Sequence, residues 1–382
     1  MKFRVFCVAL SIGVLIVPLQ RGSAQDQFPF EIFGRYLEPL AQQIGMPGVS
    51  AAIIQNGPSG RVVRRYNVGY ADLERKIFAE SYTPYAIGGV TQAMTGVLHG
   101  VCIDRFPRPL FDIDNDIRSI VPTFPVANTS IRQVLAHATD GHFHYDPALF
   151  ARLTEVIESP QCLNKPFRLA MAAEVLDRIP GGMKRSVPGM DLNRPEGAAG
   201  RALFDDRTLQ QYQSVLNDLA VPYKIDAKGR PSRSEYPSYG LDAASGMIST
   251  VDDLIDFETQ LDKRDGHPFS AFTIDRMWSN QAFDLPSNSG GTIRVVMPTG
   301  LGWFVTSESG RTVVWTFGHI PDAGSALIVK IVPQQTAISN VPPKRVTLIM
   351  LANSGGLAKG YDFESATVTA SPFVKVFLRL FI

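Results

Sequence analysis

The sequence predicts an α/β fold of the α+β type: an antiparallel sheet flanked by helices, joined to a mainly helical lobe. Three observations carry that expectation. An amphipathic helix and two strands separated by a hairpin-turn signal open the folded part of the chain. The middle alternates helical periodicity with loops, and three strand-like runs followed by an apolar helix gather near the end. At 382 residues and 45% hydrophobic content the chain can bury a large core, as one big domain or two lobes.

Taken in order, Phe30, Ile32, Phe33, Tyr36, Leu37, Leu40 and Ile44 repeat at helical spacing and stop before Gly45-Met46-Pro47-Gly48. Val49 to Gln55 reads as a buried strand, Asn56-Gly57 as a hairpin turn, and Val62 to Val68 as the returning strand. Ile131 to Ala138 is a short helix entered through Thr129-Ser130, and Ala148 to Ser159 and Phe167 to Ile179 are amphipathic. Residues 181–236, rich in Gly, Pro, Arg and Asp, read as irregular. Ser249-Thr250 caps a helix with Asp252 and Asp253 in its first turn. Val313 to Phe317, Ala326 to Val332 and Val346 to Ala352 are strands, and Phe373 to Ile382 is a helix expected to pack on the sheet. The expected organisation is a sheet lobe over residues 25–85 and 236–382 with a helical lobe over 86–235.

Residues 1–24 have the form of a secretory signal: Lys2 and Arg4, an apolar run from Val5 to Leu19, then Gly22-Ser23-Ala24. At about 15 residues the run is short for a membrane span. The chain is therefore expected to be exported, periplasmic or secreted, with no integral span after cleavage. Without the leader, 34 basic face 36 acidic residues, which gives no nucleic-acid footprint. Two cysteines remain, Cys102 and Cys162. A disulfide and two buried thiols are both open readings.

The stretch Tyr85 to Leu98 organises the chain. It reads as an extended approach, the glycine pair Gly88-Gly89, and a helix with Val90, Met94, Val97, Leu98 and Val101 on its apolar side. Such a helix start offers free backbone N–H groups to a nucleophile or an anion. The two positions where chemistry is expected hold Gly89, which cannot attack, and Gln92, which cannot take a proton.

Five segments in order carry a resemblance. They are Gly69-Tyr70-Ala71-Asp72-Leu73, Phe111 to Asp116 with Ile120-Val121-Pro122, Ile131 to Gly141 with its His137, Gly246 to Leu254, and Gly300-Leu301-Gly302-Trp303. Together they resemble the serine β-lactamase and penicillin-binding-protein superfamily, in its class C β-lactamase, DD-peptidase and esterase branch, over most of residues 28–355. The resemblance implies a β-lactamase/transpeptidase-like fold and three catalytic elements, and the chain departs at each. Ser-x-x-Lys, where the lysine takes the serine's proton, is here Gly89-Val90-Thr91-Gln92. Tyr-x-Asn is Tyr145-Asp146-Pro147, and the strand motif Lys-Thr-Gly or His-x-Gly is His319-Ile320-Pro321. The chain has no other Ser-x-x-Lys, no Gly-x-Ser-x-Gly and no His-Glu-x-x-His.

Substitutes are weak. Thr91 lies about 200° around the helix from the vacant position, and Thr95 is placed no better. Ser81 lies upstream, outside the helix. His137, His142 and His144 with Asp140 and Asp146 could suggest a metal, but His137 matches a structural family position and the rest lie on a polar loop, so no metal is expected. Cys162-Leu163-Asn164-Lys165 imitates nucleophile-x-x-base on an interhelical loop. The expectation is thus an exported, catalytically impaired homologue without cofactor that holds a peptide-like or ester-like ligand of a cell-wall-related kind at Gly89, Gln92, Tyr145 and His319. Its rivals are an active hydrolase with a relocated nucleophile and a non-catalytic structural or protein-binding module. Gly89→Ser with Gln92→Lys is expected to restore slow acylation where neither change alone does.

Overall fold

The computed structural model describes residues 24–57, 60–106, 108–238, 240–287, 290–332, 345–361 and 365–382. The leader expected over 1–24 lies outside them, save for Ala24. The chain opens with α1 (Ala24–Ile44) and the hairpin of β1 (Gly48–Gly57) and β2 (Gly60–Asp72), then the short strands β3 (Ile77–Phe78) and β4 (Tyr85–Ala86). Next come α2 (Val90–Arg105), α3 (Ile131–Leu135), α4 (Pro147–Ala151), α5 (Leu153–Glu158), α6 (Phe167–Met171), α7 (Ala198–Arg201) and α8 (Asp206–Asn217). The small hairpin β5 (Tyr223–Ile225) and β6 (Pro231–Arg233) leads to β7 (Ile248–Ser249), α9 (Val251–Lys263) and α10 (Ala271–Met277). The hairpin β8 (Ala282–Pro286) and β9 (Thr292–Val296) precedes β10 (Phe304–Glu308), β11 (Arg311–Ile320), β12 (Gly324–Val332), β13 (Arg345–Ala352) and α11 (Pro372–Phe381).

The main sheet has the order β10-β11-β12-β13-β1-β2-β3, and every pairing in it is antiparallel. This is the α+β class the sequence predicts. Alternation along the strands divides the core in two. Val49, Ala51, Ile53, Trp315, Leu348 and Met350 face α1 and α11, meeting Phe33, Leu37, Phe373 and Phe377. Ile54, Ile328, Ile349 and Leu351 face the other way, onto Met94 and Leu98 of α2 and Leu254 and Phe257 of α9. Helices on both faces explain why β1 reads as continuously apolar rather than alternating.

Several local expectations are revised. Gly57 pairs with Gly60, so Asn56-Gly57 belongs to β1 rather than to a turn, and residues 58–59 lie outside the described residues. The two amphipathic stretches of the middle are broken: α4 and α5 meet at Arg152, and α6 passes into a π-helical turn over Ala172–Leu176. The segment expected to be irregular contains α8, capped by Asp205 through the Thr208 N–H and buried at Tyr212, Val215 and Leu216. Four apolar residues in twelve, Leu209, Tyr212, Val215 and Leu216, gave too sparse a stripe to stand out among polar neighbours.

Cys102 of α2 and Cys162 in the turn after α5 form a disulfide, with Cα atoms 5.3 Å apart. Of the two readings left open by the sequence, the structure takes the pair. Closing a loop between residues 60 apart is worth about 4 kcal/mol in the chain-entropy account. Among the described residues, no helix is long and apolar enough to cross a membrane.

One charged group lies deep in the core. Lys330 of β12 points at α9, with its Nζ 2.8 Å from Glu258 Oε2 and 2.5 Å from Asp262 Oδ1. The ammonium also lies 4.3 Å from the Trp278 ring centroid, and Asn56 Nδ2 donates to Asp262 Oδ2 at 2.7 Å. Burial pushes the Glu258 carboxyl up, and Lys330 opposes that shift.

Candidate active site

Gly89 is the N-cap of α2, reached through the β4 segment that pairs with β7. The free N–H groups expected there are occupied: those of Val90, Thr91 and Gln92 donate to the carbonyls of Ile87, Gly88 and Gly89 at 3.0–3.1 Å. β11 presses directly on this turn. A Cβ on Gly318 would stand 1.9 Å from Ile87 O, so only glycine allows the approach. A Cβ on Gly89 would stand 2.6 Å from Phe317 O and 3.1 Å from the Tyr145 hydroxyl. The family's nucleophile position therefore lacks both the side chain and the room for one.

Gln92 is buried and bonded at both ends of its amide. Its Nε2 donates to the Tyr145 hydroxyl at 3.1 Å, and its Oε1 is 3.0 Å from His137 Nε2. Local sequence builds the partners. Ser130 and Gln133 form a capping box that starts α3. The chain then turns through His137 at φ 51°, which brings its ring between Tyr145 and Phe150 at centroid distances of 4.7 and 5.0 Å. Asp146 caps α4 through the Leu149 N–H, with Pro147 as the first helical residue. The family's asparagine position is thus a helix start here.

The network is uncharged. The Asp146 backbone N–H donates to His137 Nδ1 at 3.3 Å, which leaves Nε2 as the protonated nitrogen and donor to Gln92. Burial pulls the His137 imidazole down to about 3, with Asp146 opposing, so the ring is neutral at pH 7. Burial pushes the Tyr145 phenol up to about 12, only partly offset by Gln92. A phenol so far above neutrality is a poor proton acceptor, and Gln92, Tyr145 and His137 are all neutral at pH 7.

The structure brings Gly89, Gln92, Tyr145 and His137 together. His319 joins them only through its backbone, whose N would lie 3.2 Å from a Cβ on Gly88. Its imidazole instead lies against Gly355, in a cleft of about 420 Å³ shared with Lys224 and Lys359. Though exposed, it is pushed below the usual histidine range by neighbouring packing, with Asp322 opposing. Pro321 is not in the strand. It opens the turn from Ile320 to Ala323, in which Asp322 has φ 58°. Sequence reasoning missed the role of Phe317 and Gly318. The signal available was the glycine that immediately precedes His319 in the strand motif.

The other nucleophile candidates have structural partners. Thr91 Oγ1 donates to Gly88 O at 2.7 Å, Thr95 Oγ1 to Ala243 O at 2.7 Å, and Ser81 Oγ to Asp252 at 2.9 Å. Cys162 is in the disulfide. Among the described residues, no group of three His, Cys, Asp or Glu side chains is arranged to hold a metal ion.

Comparison with known proteins agrees with this architecture. The sequence matches the family described as Beta-lactamase over residues 33–368. The octameric penicillin-binding protein homologue from Pyrococcus abyssi superposes with a TM-score of 0.63 at 17% identity, over 86% of this chain and 74% of its own. The D-amino acid amidase from Ochrobactrum anthropi SV3, complexed with L-phenylalanine amide, gives 0.60 at 17% identity, over 92% and 98%. The D-alanine carboxypeptidase AmpC from Burkholderia cenocepacia gives 0.59 at 16% identity, over 93% and 99%. No curated protein matches the chain.

Proposed function

From the premise that the chain belongs to the Beta-lactamase family of penicillin-binding-protein-like serine hydrolases, we propose that it is an exported, catalytically impaired homologue that holds a peptide-like or ester-like ligand without turning it over. The observation that carries this reading is Gly89. A covalent route needs a nucleophile there, and the position has neither a side chain nor space for one beside Phe317 O. Gln92 supports it further, because an amide bonded to His137 and Tyr145 replaces the base. The serine, threonine and cysteine candidates nearby are engaged elsewhere, which speaks against a relocated nucleophile.

Ligand retention is supported by kinship of fold with an amidase that was crystallised with L-phenylalanine amide. A neutral network of amide, phenol and imidazole suits an uncharged amide or ester better than a charged group. Export is supported by the signal-like residues 1–24 and by the Cys102–Cys162 pair, which persists in oxidising compartments.

The test is incubation of the leaderless protein with a fluorescent penicillin and a fluorophosphonate, followed by intact mass, and calorimetry with phenylalanine amide. The expected result is no covalent adduct and saturable, non-covalent binding. A stoichiometric adduct overturns catalytic impairment, and absence of binding overturns the ligand-holding role in favour of a vestigial cleft.

A further inference from the structure

Away from the candidate active site, the main sheet ends in an edge that is open among the described residues. β3 is the last strand of the seven and is only two residues long. The Ala79 N–H donates to Gly69 O at 3.0 Å, while Tyr70 and Phe78 are directly paired. In an antiparallel ladder this makes Tyr70–Phe78 the non-hydrogen-bonded pair, so Phe78 turns its own N–H and C=O to the outside. Edge strands are usually protected by charge or proline, and this one presents Ile77 and Phe78, 45% and 64% exposed. The Phe78 ring is held in place by stacking on Tyr70, with centroids 5.0 Å apart.

A groove of about 550 Å³ adjoins the edge, and its apolar wall is Phe78 and Tyr82, the latter 55% exposed. Arg75, Arg185 and Arg233 also line the groove. Arg185 is pre-oriented: its Nε donates to Tyr82 O at 2.9 Å, its Nη2 to Asp218 at 2.9 Å, and it lies over the Tyr82 ring. Arg233 is exposed and has no acidic partner among the described residues. The acids lining the groove are Asp72, which is buried, accepts the Arg75 backbone N–H and lies 4.0 Å from the Arg75 Nε, and Asp218, which pairs with Arg185, so Arg233 is the uncompensated charge. Positive charge is in excess.

We propose that β3 and this groove bind an extended peptide segment of another protein that carries acidic and aromatic or aliphatic side chains in alternation. The peptide backbone adds a strand by bonding to the outward N–H and C=O of Phe78. Its apolar side chains, repeating on one face, lie on Phe78 and Tyr82, and its carboxylates reach the arginines.

The experiment is fluorescence anisotropy of the leaderless protein with a fluorescein-labelled peptide of alternating Glu and Phe or Val, against the same peptide with Lys for Glu. The acidic peptide is expected to bind saturably, at least about tenfold more tightly than the basic one, and to weaken with salt. Arg233→Glu and Phe78→Asp are each expected to weaken it about tenfold with unchanged thermal melting. Phe78→Pro removes the outward N–H, while Phe78→Thr keeps it. If the proline variant does not fold, hydrogen exchange on the unmutated protein replaces it, with slowed exchange of the Phe78 amide on peptide addition as the expected result. No binding by the acidic peptide, equal binding of both peptides, or an unchanged Phe78 amide overturns the proposal. So does sedimentation showing that Phe78 instead joins two copies of this chain. Failure here leaves the acylation result at Gly89 unaffected, since the two sites share no residue.

Discussion

Two buried polar clusters, one between β12 and α9 and one at the start of α2, are built on opposite terms. Beneath β12, Lys330 meets Glu258 and Asp262 under Trp278, one amine set between two carboxyl groups within the core. At the start of α2, where the family resemblance calls for a serine and a lysine, Gly89 and Gln92 leave a set of neutral groups joined by hydrogen bonds. Burial of an ionisable side chain is therefore no guide to chemistry here. The lysine of this core has two carboxylates for neighbours and no nucleophile, whereas beside the family's tyrosine both Gln92 and His137 are neutral at pH 7.

The largest expected effect probes the charged cluster. Lys330→Met strands two carboxylates in the core and is expected to cost about 3–5 kcal/mol, read from denaturant midpoints. Adding Glu258→Met and Asp262→Leu removes the stranded charges and is expected to recover most of that loss. A mild single variant would show that water reaches the cluster and that the contrast between the two sites is overdrawn.

Next comes Gly89→Ala, with its sign decided by one contact. Gly89 has φ −64°, an ordinary helical value, so a methyl group there should stabilise the chain by about 0.4–1 kcal/mol through the unfolded state. The Phe317 carbonyl at 2.6 Å reverses this, and a loss of about 1–3 kcal/mol is expected as β11 shifts. The same obstacle bears on Gly89→Ser with Gln92→Lys. The side chains alone suggest slow acylation, but the backbone must first open, so the double variant is expected to form no adduct. A stabilised Gly89→Ala would sink the account of a closed site.

A smaller effect follows from the neutral His137. Its imidazole is held near 3 in the fold and titrates from 6.5 when unfolded. Between those values the unfolded chain binds the proton and the folded chain refuses it, so stability falls as pH drops from 7 to 5 by about 1–2 kcal/mol. Asp253, raised by burial to about 6, acts in the opposite sense, gaining stability as pH falls through that value. The clean measurement is the difference between the protein and His137→Gln: the variant starts less stable but should lose about 1–2 kcal/mol less between pH 7 and 5.

How much of this the sequence disclosed depends on the range of the forces involved. The α+β class, the strands at 313–317, 326–332 and 346–352 and the cap at Thr250 follow from local periodicity and side-chain chemistry. Gly89 and Gln92 were legible as missing chemistry because a nucleophile and a base are residue types at fixed spacing. The pressure of Phe317 O on Gly89 was not legible, since it depends on how closely β11 approaches across 228 positions of chain. Lys330 reads as an interruption in an apolar strand, and only the register that points it at Glu258 and Asp262 shows its partners. The direction of the His319 imidazole was hidden for the same reason: strand parity is local, but which face meets which cleft is tertiary.

The smallest effect tests the neutral network itself. Tyr145→Phe deletes the hydroxyl that accepts from Gln92 Nε2 at 3.1 Å and leaves the ring contact with His137 in place. One buried donor then loses a partner, which is expected to cost about 1 kcal/mol. Because the phenol lies near 12, it carries no ionisation change between pH 6 and 9, and the cost should be the same throughout that range. Urea unfolding at pH 6, 7.5 and 9 measures both quantities. A cost that changes across those pH values would mean that Tyr145 exchanges a proton near neutrality, as a working hydrolase requires, and the two clusters would no longer stand as opposites.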